Sequence, residues 1–240
     1  MNLIGYDIRR KTPDIMGVDP YVDIQKLLGG RTQSFFFDVG ANTGQTVSKL
    51  RNIAPSAEIH CFEPSIKAFQ ALKANTATDK AVTLNNIALG AVSETRQFFE
   101  CGQHTDMSSF LMLPEGLKTS VVDVDMTSLD NYCKDNGIVS IDLLKMDVQG
   151  FELDVLSGAD SMISNNGVKL ILTEFMFRKI YKEAPGMTTL YDALEDKGYR
   201  LISFYRPHFR DYCASYLDAL FIHSSYLEKV ENRKHIDMSM

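Results

Sequence analysis

The sequence predicts an α/β fold around one mostly parallel sheet, and three observations carry that prediction. Short apolar runs alternate with stretches whose apolar residues recur at helical spacing, several of the runs close on an acid, and a glycine turn follows the first at once. Asp19 followed by Pro20 reads as an N-cap and first helical residue, with Val22, Ile24, Leu27 and Leu28 continuing a short helix until Gly29 and Gly30 stop it. Residues 35–39 (Phe-Phe-Phe-Asp-Val) read as a buried strand. Helix 43–53 follows, with Val47, Leu50 and Ile53 on one face. A second strand over 57–63 ends at Glu63; Pro64 and Ser65 then open a helix, Ser65 as N-cap, with Ile66, Phe69 and Leu72 facing the sheet. Residues 81–87 form a third strand.

Residues 95–129 interrupt this rhythm, because 96–100 and 120–126 alternate or run β-branched and aromatic, which predicts an antiparallel excursion around residues 107–110. The rhythm resumes with a fourth strand over 141–147, and a helix from Gly150 carries the stripe Phe151, Val155, Leu156, Ala159 and Met162. A fifth strand, 168–173, ends at Glu174. Helix 188–197 turns Leu190, Tyr191 and Leu194 inward, and strands six and seven follow at 199–204 and 217–223. The connection 205–215 is short for a helical crossover, so the last strand is expected to run antiparallel. The expected architecture is therefore a seven-stranded, mostly parallel sheet with an antiparallel last strand and a β excursion between strands three and four. Residues 1–33 form an extension with a short helix, 34–227 the domain, and 228–240 a charged, frayed tail.

The passage from Asp38 through Gly40, Ala41, Asn42, Thr43 and Gly44 to Gln45 and Thr46 points to a nucleotide-sized ligand. Glycines let the backbone come close to a ligand, and an acid at the strand end accepts from an ammonium while turn amides take a carboxylate. An amino-acid-bearing nucleoside has both groups. The spacing is Asp-x-Gly-x-x-x-Gly rather than the G-x-G-x-x-G of dinucleotide folds. Glu63, about twenty residues beyond the turn, stands where a carboxylate reaches ribose hydroxyls.

At 240 residues and 45% hydrophobic content, one large α/β core is the expected organisation. A net charge of −6 without a long basic block argues against nucleic acid or an anionic membrane as the main partner and favours a small molecule or glycan. No apolar run in the first twenty residues has signal-peptide or membrane-span length, which leads to a cytoplasmic expectation. Cys61, Cys101, Cys133 and Cys213 are scattered without a C-x-x-C pair, so neither a zinc site nor a disulfide framework is expected, and no metal is assigned.

Read together with Asp38–Gly44, the segment 141–152 (Ile-Asp-Leu-Leu-Lys-Met-Asp-Val-Gln-Gly-Phe-Glu) resembles the FkbM family of methyltransferases. Further matches are Asn86 to Gly90 including Ala88, the Ser108 and Ser109 pair, Thr127 to Asp130, and Leu156 to Ala159. The similarity runs over roughly residues 34–223. The resemblance implies a Rossmann-like class I methyltransferase fold, S-adenosylmethionine as donor, and O-methylation of a sugar or natural-product hydroxyl. One position departs from it: the family commonly has Glu where this chain has Gln149, which removes a charge.

Residues expected on the donor side are Asp38, Gly40, Asn42, Gly44, Gln45, Thr46, Glu63, Pro64, Ser65, Asn86, Ala88 and Ser109. Transfer to oxygen needs a base in line with the methyl group. Asp147 at the end of the fourth strand is the first candidate, Glu174 the second and His208 the third. Arg206 and Arg210 flank His208 and, with Arg178, Lys179 and Lys182, are expected to make a basic acceptor mouth. A donor-binding module without chemistry and a nicotinamide oxidoreductase are the competing classes.

Overall fold

The computed structural model describes residues 16–31, 33–102, 104–112, 118–178, 181 and 184–237. The charged N-terminal residues Asp7, Arg9, Arg10 and Lys11, together with Lys179 and Lys182, lie outside them. Helix α1 (Pro20–Leu27) begins as expected, with the Asp19 carboxylate accepting from the Tyr21 and Val22 amides, and Gly29 and Gly30 end it with positive φ. Ile24 and Leu27 are buried, whereas Val22 faces solvent. Then come β1 (Phe35–Val39), α2 (Gln45–Ile53), β2 (Glu58–Phe62), α3 (Ile66–Asn75) and β3 (Val82–Asn85). Ser65 caps α3, and Leu72 is buried with Phe69 packed against the same core, as expected, but Ile66 is 52% exposed and Ala68 is buried in its place.

Strands β4 (Ala88–Leu89), β5 (Glu94–Cys101) and β6 (Thr119–Thr127) make a separate three-stranded sheet in which β5 and β6 pair antiparallel from Glu94↔Met126 to Cys101↔Thr119. Its inner face, with Phe98, Val124 and Met126, packs with Phe110 and Phe151 into a small core of its own. Helix α4 (Leu129–Asp135) leads to β7 (Ile141–Met146). The helix expected from Gly150 divides into α5 (Glu152–Ser157) and α6 (Asp160–Ser164) around Gly158. The division has a packing cause: a Cβ on Gly158 would lie 1.9 Å from the Gly90 carbonyl oxygen, so the chain passes hard against the β4 loop. All five residues of the predicted stripe are nevertheless buried.

Strand β8 (Val168–Met176) runs past its expected end, α7 (Met187–Asp196) and β9 (Tyr199–Phe204) follow, and β10 (His208–Arg210) forms a hairpin with β11 (Cys213–His223) across Asp211 and Tyr212, both at positive φ. The main sheet therefore has eight strands rather than seven, in the order β3-β2-β1-β7-β8-β11-β10, with β9 also on β11. β9 pairs with residues 219–223 of β11 and β10 with residues 213–216, so the two share one edge. Strand β11 is the antiparallel one, pairing with β8 from Tyr216↔Met176 to Ile222↔Leu170. That pairing puts Glu174 inside β8 opposite Asp218, not at a strand end.

One large core lies between the sheet and α4 to α7, and a second between the sheet and α1, α2 and α8 (Ser224–Asp237). The tail expected from Glu228 is instead helical up to Asp237, with Tyr226 and Val230 buried in that second core. Among the described residues no helix is long and apolar enough to cross a membrane.

Candidate active site

Because β1, β2, β7 and β8 run parallel, the loops after them open on one edge, and there a cavity of about 530 Å³ lies between the main sheet, the β5–β6 hairpin and the β10–β11 hairpin. Of the residues expected in the site, Gly40, Asn42, Glu63, Pro64, Ala88, Asp147, Glu174, His208 and Arg210 line it. Asp38, Gly44, Gln45, Thr46, Ser65, Asn86, Ser109 and Arg206 do not.

The glycine turn works differently from its sequence-level reading. The Gly40 and Ala41 amides both donate to the Phe62 carbonyl, the Gly44 amide to Ala41, and the Asn42 amide to Glu63 Oε2 at 2.8 Å. Those amides already have acceptors within the chain, so the carboxylate-cradling turn expected from the sequence is replaced by a clamp joining β1 to the end of β2. Asp38 is fully buried, off the cavity, on the sheet face that also carries Lys145. Its expected ammonium partner comes from the chain itself: Lys145 Nζ lies 3.1 Å from Asp38 Oδ1 and 3.5 Å from Asp147 Oδ2. Burial by itself would disfavour the Lys145 charge, but the two carboxylates more than offset it and hold the ammonium protonated. A lone lysine in a strand that is buried along its whole length was the available signal in the sequence.

Glu63 is the carboxylate that the fold aims into the cavity. Its Oε1 accepts from the Ser65 amide at 2.9 Å and its Oε2 from Asn42, while Asn86 Nδ2 holds the Glu63 and Pro64 carbonyls from outside. Burial pushes its carboxyl up to about 7, the two amides pulling the other way. Ser65 Oγ is committed to Glu100 and Ser109 Oγ to the Gln149 carbonyl, so both serines tie the β5–β6 excursion to the sheet rather than facing the cavity; Ser108 lines it in place of Ser109. Gln45 is exposed and Thr46 is buried beside Tyr21 of α1.

At the other end of the cavity Asp147, Glu174 and Asp218 come together from β7, β8 and β11. Burial first, and then the carboxylates of Asp147, Glu152 and Asp218, push the Glu174 carboxyl far above the usual range, so it carries a proton at neutral pH. Asp147 accepts from Gln149 Nε2 at 2.9 Å, and Gln149 Oε1 in turn accepts from the Tyr181 hydroxyl at 2.7 Å. Asp218 and Tyr181 had no motif to betray them, because each reaches the cavity from a segment with no glycine turn.

His208 stacks on Tyr216 with ring centroids 4.4 Å apart. A register shift between His208 and Phe209 lets these two residues and Arg210 all line the cavity, where a regular strand would alternate them. Arg206 is exposed and off the cavity, and Arg178 pairs with Asp211, so the basic mouth reduces to Arg210 among the described residues. Among those residues, too, no cluster of three or more His, Cys, Asp or Glu is placed to hold a metal ion.

The methyltransferase FkbM domain matches residues 38–201, more than half of the chain, from the end of β1 to the start of β9. The chain belongs to the FkbM methyltransferase family. A 2-O-methyltransferase, NoeI, of Sinorhizobium fredii (strain NBRC 101917 / NGR234) is 25% identical over 170 residues, covering 65% of this chain and 69% of NoeI. Among solved structures, the methyltransferase FkbM of Methylobacillus flagellatus KT superposes with a TM-score of 0.55 at 18% identity, over 86% of this chain and 48% of that one. The chain thus spans about half the length of that relative. The METTL16 MTase domain gives a TM-score of 0.50 at 10% identity over 85% of this chain and 64% of its own. These likenesses show the same methyltransferase architecture: the Rossmann-like class I fold expected from the sequence is the fold of the FkbM chain.

Proposed function

We propose that this chain transfers a methyl group from S-adenosylmethionine to a hydroxyl of a small polyhydroxylated acceptor such as a sugar or sugar-bearing metabolite. The observation that carries the donor assignment is Glu63, a buried carboxylate anchored by two amides and lining a cavity that Phe98, Phe110 and Phe151 also line. A ribose diol donating to that carboxylate and an adenine lying against Phe98, Phe110 and Phe151 would satisfy both features. Bound there, the donor supplies an electrophilic methyl group. Oxygen as the receiving atom is supported by the printed activity of the NoeI relative, a 2-O-methyltransferase.

The remaining chemistry falls to this chain's own side chains. Asp147 takes the hydroxyl proton as the oxygen attacks, its carboxylate held by Gln149 Nε2 at Oδ1 and approached by Lys145 Nζ at Oδ2. Glu174, kept protonated by burial and by its acidic neighbours, donates a hydrogen bond to a second acceptor oxygen. Two carboxyls with divergent environments thereby take different roles. Arg210 orients the acceptor through its planar guanidinium.

Two measurements test this reading. S-adenosylmethionine and S-adenosylhomocysteine are expected to raise the melting temperature, NAD is not, and Glu63→Ala should weaken the shift. The shift should also depend on pH. The folded carboxyl of Glu63, at about 7, stands above the unfolded value of about 4.3, so its protonated form stabilises the ligand-free fold below the unfolded pKa and that contribution is lost as pH rises through 7. A ribose diol prefers the carboxylate, so donor affinity should rise between pH 6 and 8 with proton release on binding. Affinity flat across that range in calorimetry would contradict the role of Glu63. For the acceptor, mass spectrometry of cells with and without the gene should reveal a product heavier by one methylene. Arg210→Ala should then raise the acceptor KM several-fold, while Arg206→Ala, off the cavity, should leave it near wild type. Equal effects of the two would remove Arg210 from the acceptor site.

A further inference from the structure

Residues 147–150 are held from several sides at once. Gln149 has φ +56, a left-handed conformation costly for a side chain of its kind, and Gly150 follows at φ +95. Ser109 Oγ donates to the Gln149 carbonyl at 2.8 Å, and the Val148 and Gly150 amides donate to Glu152 Oε1 at 3.2 and 3.3 Å. Within this frame the Gln149 side chain has one satisfactory orientation. The Asp147 carboxylate only accepts, so the amide nitrogen must face its Oδ1; the amide oxygen then faces the Tyr181 hydroxyl at 2.7 Å, the shorter of that hydroxyl's two acceptor contacts, the other being the Met107 carbonyl at 3.1 Å. Tyr181 is 1% exposed, and burial together with Glu174, Asp147 and Glu152 holds its hydroxyl protonated, so it remains a donor.

We propose that Gln149 and Tyr181 act as a positioning pair for the reaction, setting the rotation of the Asp147 carboxylate so that Oδ1 is occupied by the amide while Oδ2, which Lys145 Nζ approaches at 3.5 Å, keeps a lone pair to take the acceptor's proton. The inference rests on the assignment of Asp147 as base. A carboxylate at position 149 would instead set two acceptors against each other, and one of them would have to hold a proton. The charged and titratable groups around Asp147 are Lys145 on its own strand, Asp38 on β1, Glu63 after β2, Glu174 on β8, Glu152 on α5, and Tyr216 and Asp218 on β11. All remain unchanged in the variants below.

The test is a carboxyl-carbon NMR titration of the S-adenosylhomocysteine complex between pH 4 and 9, with the Asp147 resonance assigned by its loss in Asp147→Asn. In Gln149→Glu the midpoint of that resonance is expected to rise by about one unit or more, the usual effect of a second carboxylate in contact. Gln149→Met and Tyr181→Phe should move it the same way by less, the first by deleting the donor and the second by freeing the amide to turn. Should Gln149→Glu fail to fold, these two carry the test, since neither adds a charge. A midpoint unmoved in the variants that fold and still bind S-adenosylhomocysteine would overturn the pair. Methylation surviving in Asp147→Asn would overturn the base assignment instead, and wild-type-like midpoints are not needed to recognise that failure.

Discussion

Gly40→Ala is expected to lower stability by about 2–5 kcal/mol. Gly40 has φ +79, where an L side chain costs about 1–2 kcal/mol, and its added Cβ would lie 2.0 Å from the Asp147 carbonyl oxygen and 2.9 Å from the carbonyl carbon. That neighbour is backbone and is itself held, since the Asp147 amide donates to the Val39 carbonyl at 3.0 Å, so relief requires separating β1 from β7 at the centre of the sheet. Overpacking of this kind adds about 1–3 kcal/mol. For a domain of this size each kcal/mol moves the melting temperature by about 2–4 °C, so a fall of about 5–15 °C should be seen. Gly137→Ala is the control: its φ is +66 and nothing lies within 4 Å of the added Cβ, so it should show the conformational cost alone. Equal losses in the two variants would mean that the contact with Asp147 is relieved without penalty. The glycine that seemed to make room for a ligand thus makes room for the loop that carries the candidate base.

Asp147→Asn is expected to lower turnover by about a hundredfold or more while S-adenosylhomocysteine affinity stays within a few-fold of wild type, because removing a general base costs about 10²–10⁴ in rate. In the proposed arrangement the donor is held by Glu63, on the loop after β2, and not by Asp147, on the loop after β7, which is why the two measurements should separate. The substitution also turns an amide toward Lys145 or Gln149, both of which donate to the carboxylate in the wild type. Glu174→Gln should lose less, since an amide can still donate where a protonated acid did. His208→Ala is the discriminating comparison: the imidazole lines the same cavity while stacked on Tyr216, and near-wild-type turnover in Asp147→Asn with loss in His208→Ala would move the base to the β10–β11 hairpin.

Most of the fold is legible along the chain because its signals are local. The capped helices α1 and α3, the apolar strands β1, β2 and β7, and the β5–β6 excursion each lie within a few residues of their sequence boundaries. The position of Glu63 is legible for the same reason: an acid one strand beyond a glycine turn is a short-range pattern, and Glu63 lines the cavity beside that turn. The frayed tail was misread because helix α8 has little apolar periodicity, and only the buried Tyr226 and Val230 hold it to the second core.

The sequence by itself determined the main alternation of strands and helices, the sheet edge that carries the candidate site, and the methyltransferase family. Which side chains share the cavity was decided by the tertiary structure alone, because register and sheet face depend on pairings between distant segments. The alignment of β1, β7, β8 and β11 gathers Asp38, Lys145, Glu174 and Asp218 along one sheet face, and this turns Asp38 from an expected ligand group into the partner of a buried lysine. A bulge in β10 brings Phe209 in beside His208 and Arg210. Tyr181, thirty-two residues from Gln149, fixes the direction of its amide. Each of these is a contact between segments far apart in the chain, and its energy comes from burial and charge pairing that form only when the sheet closes.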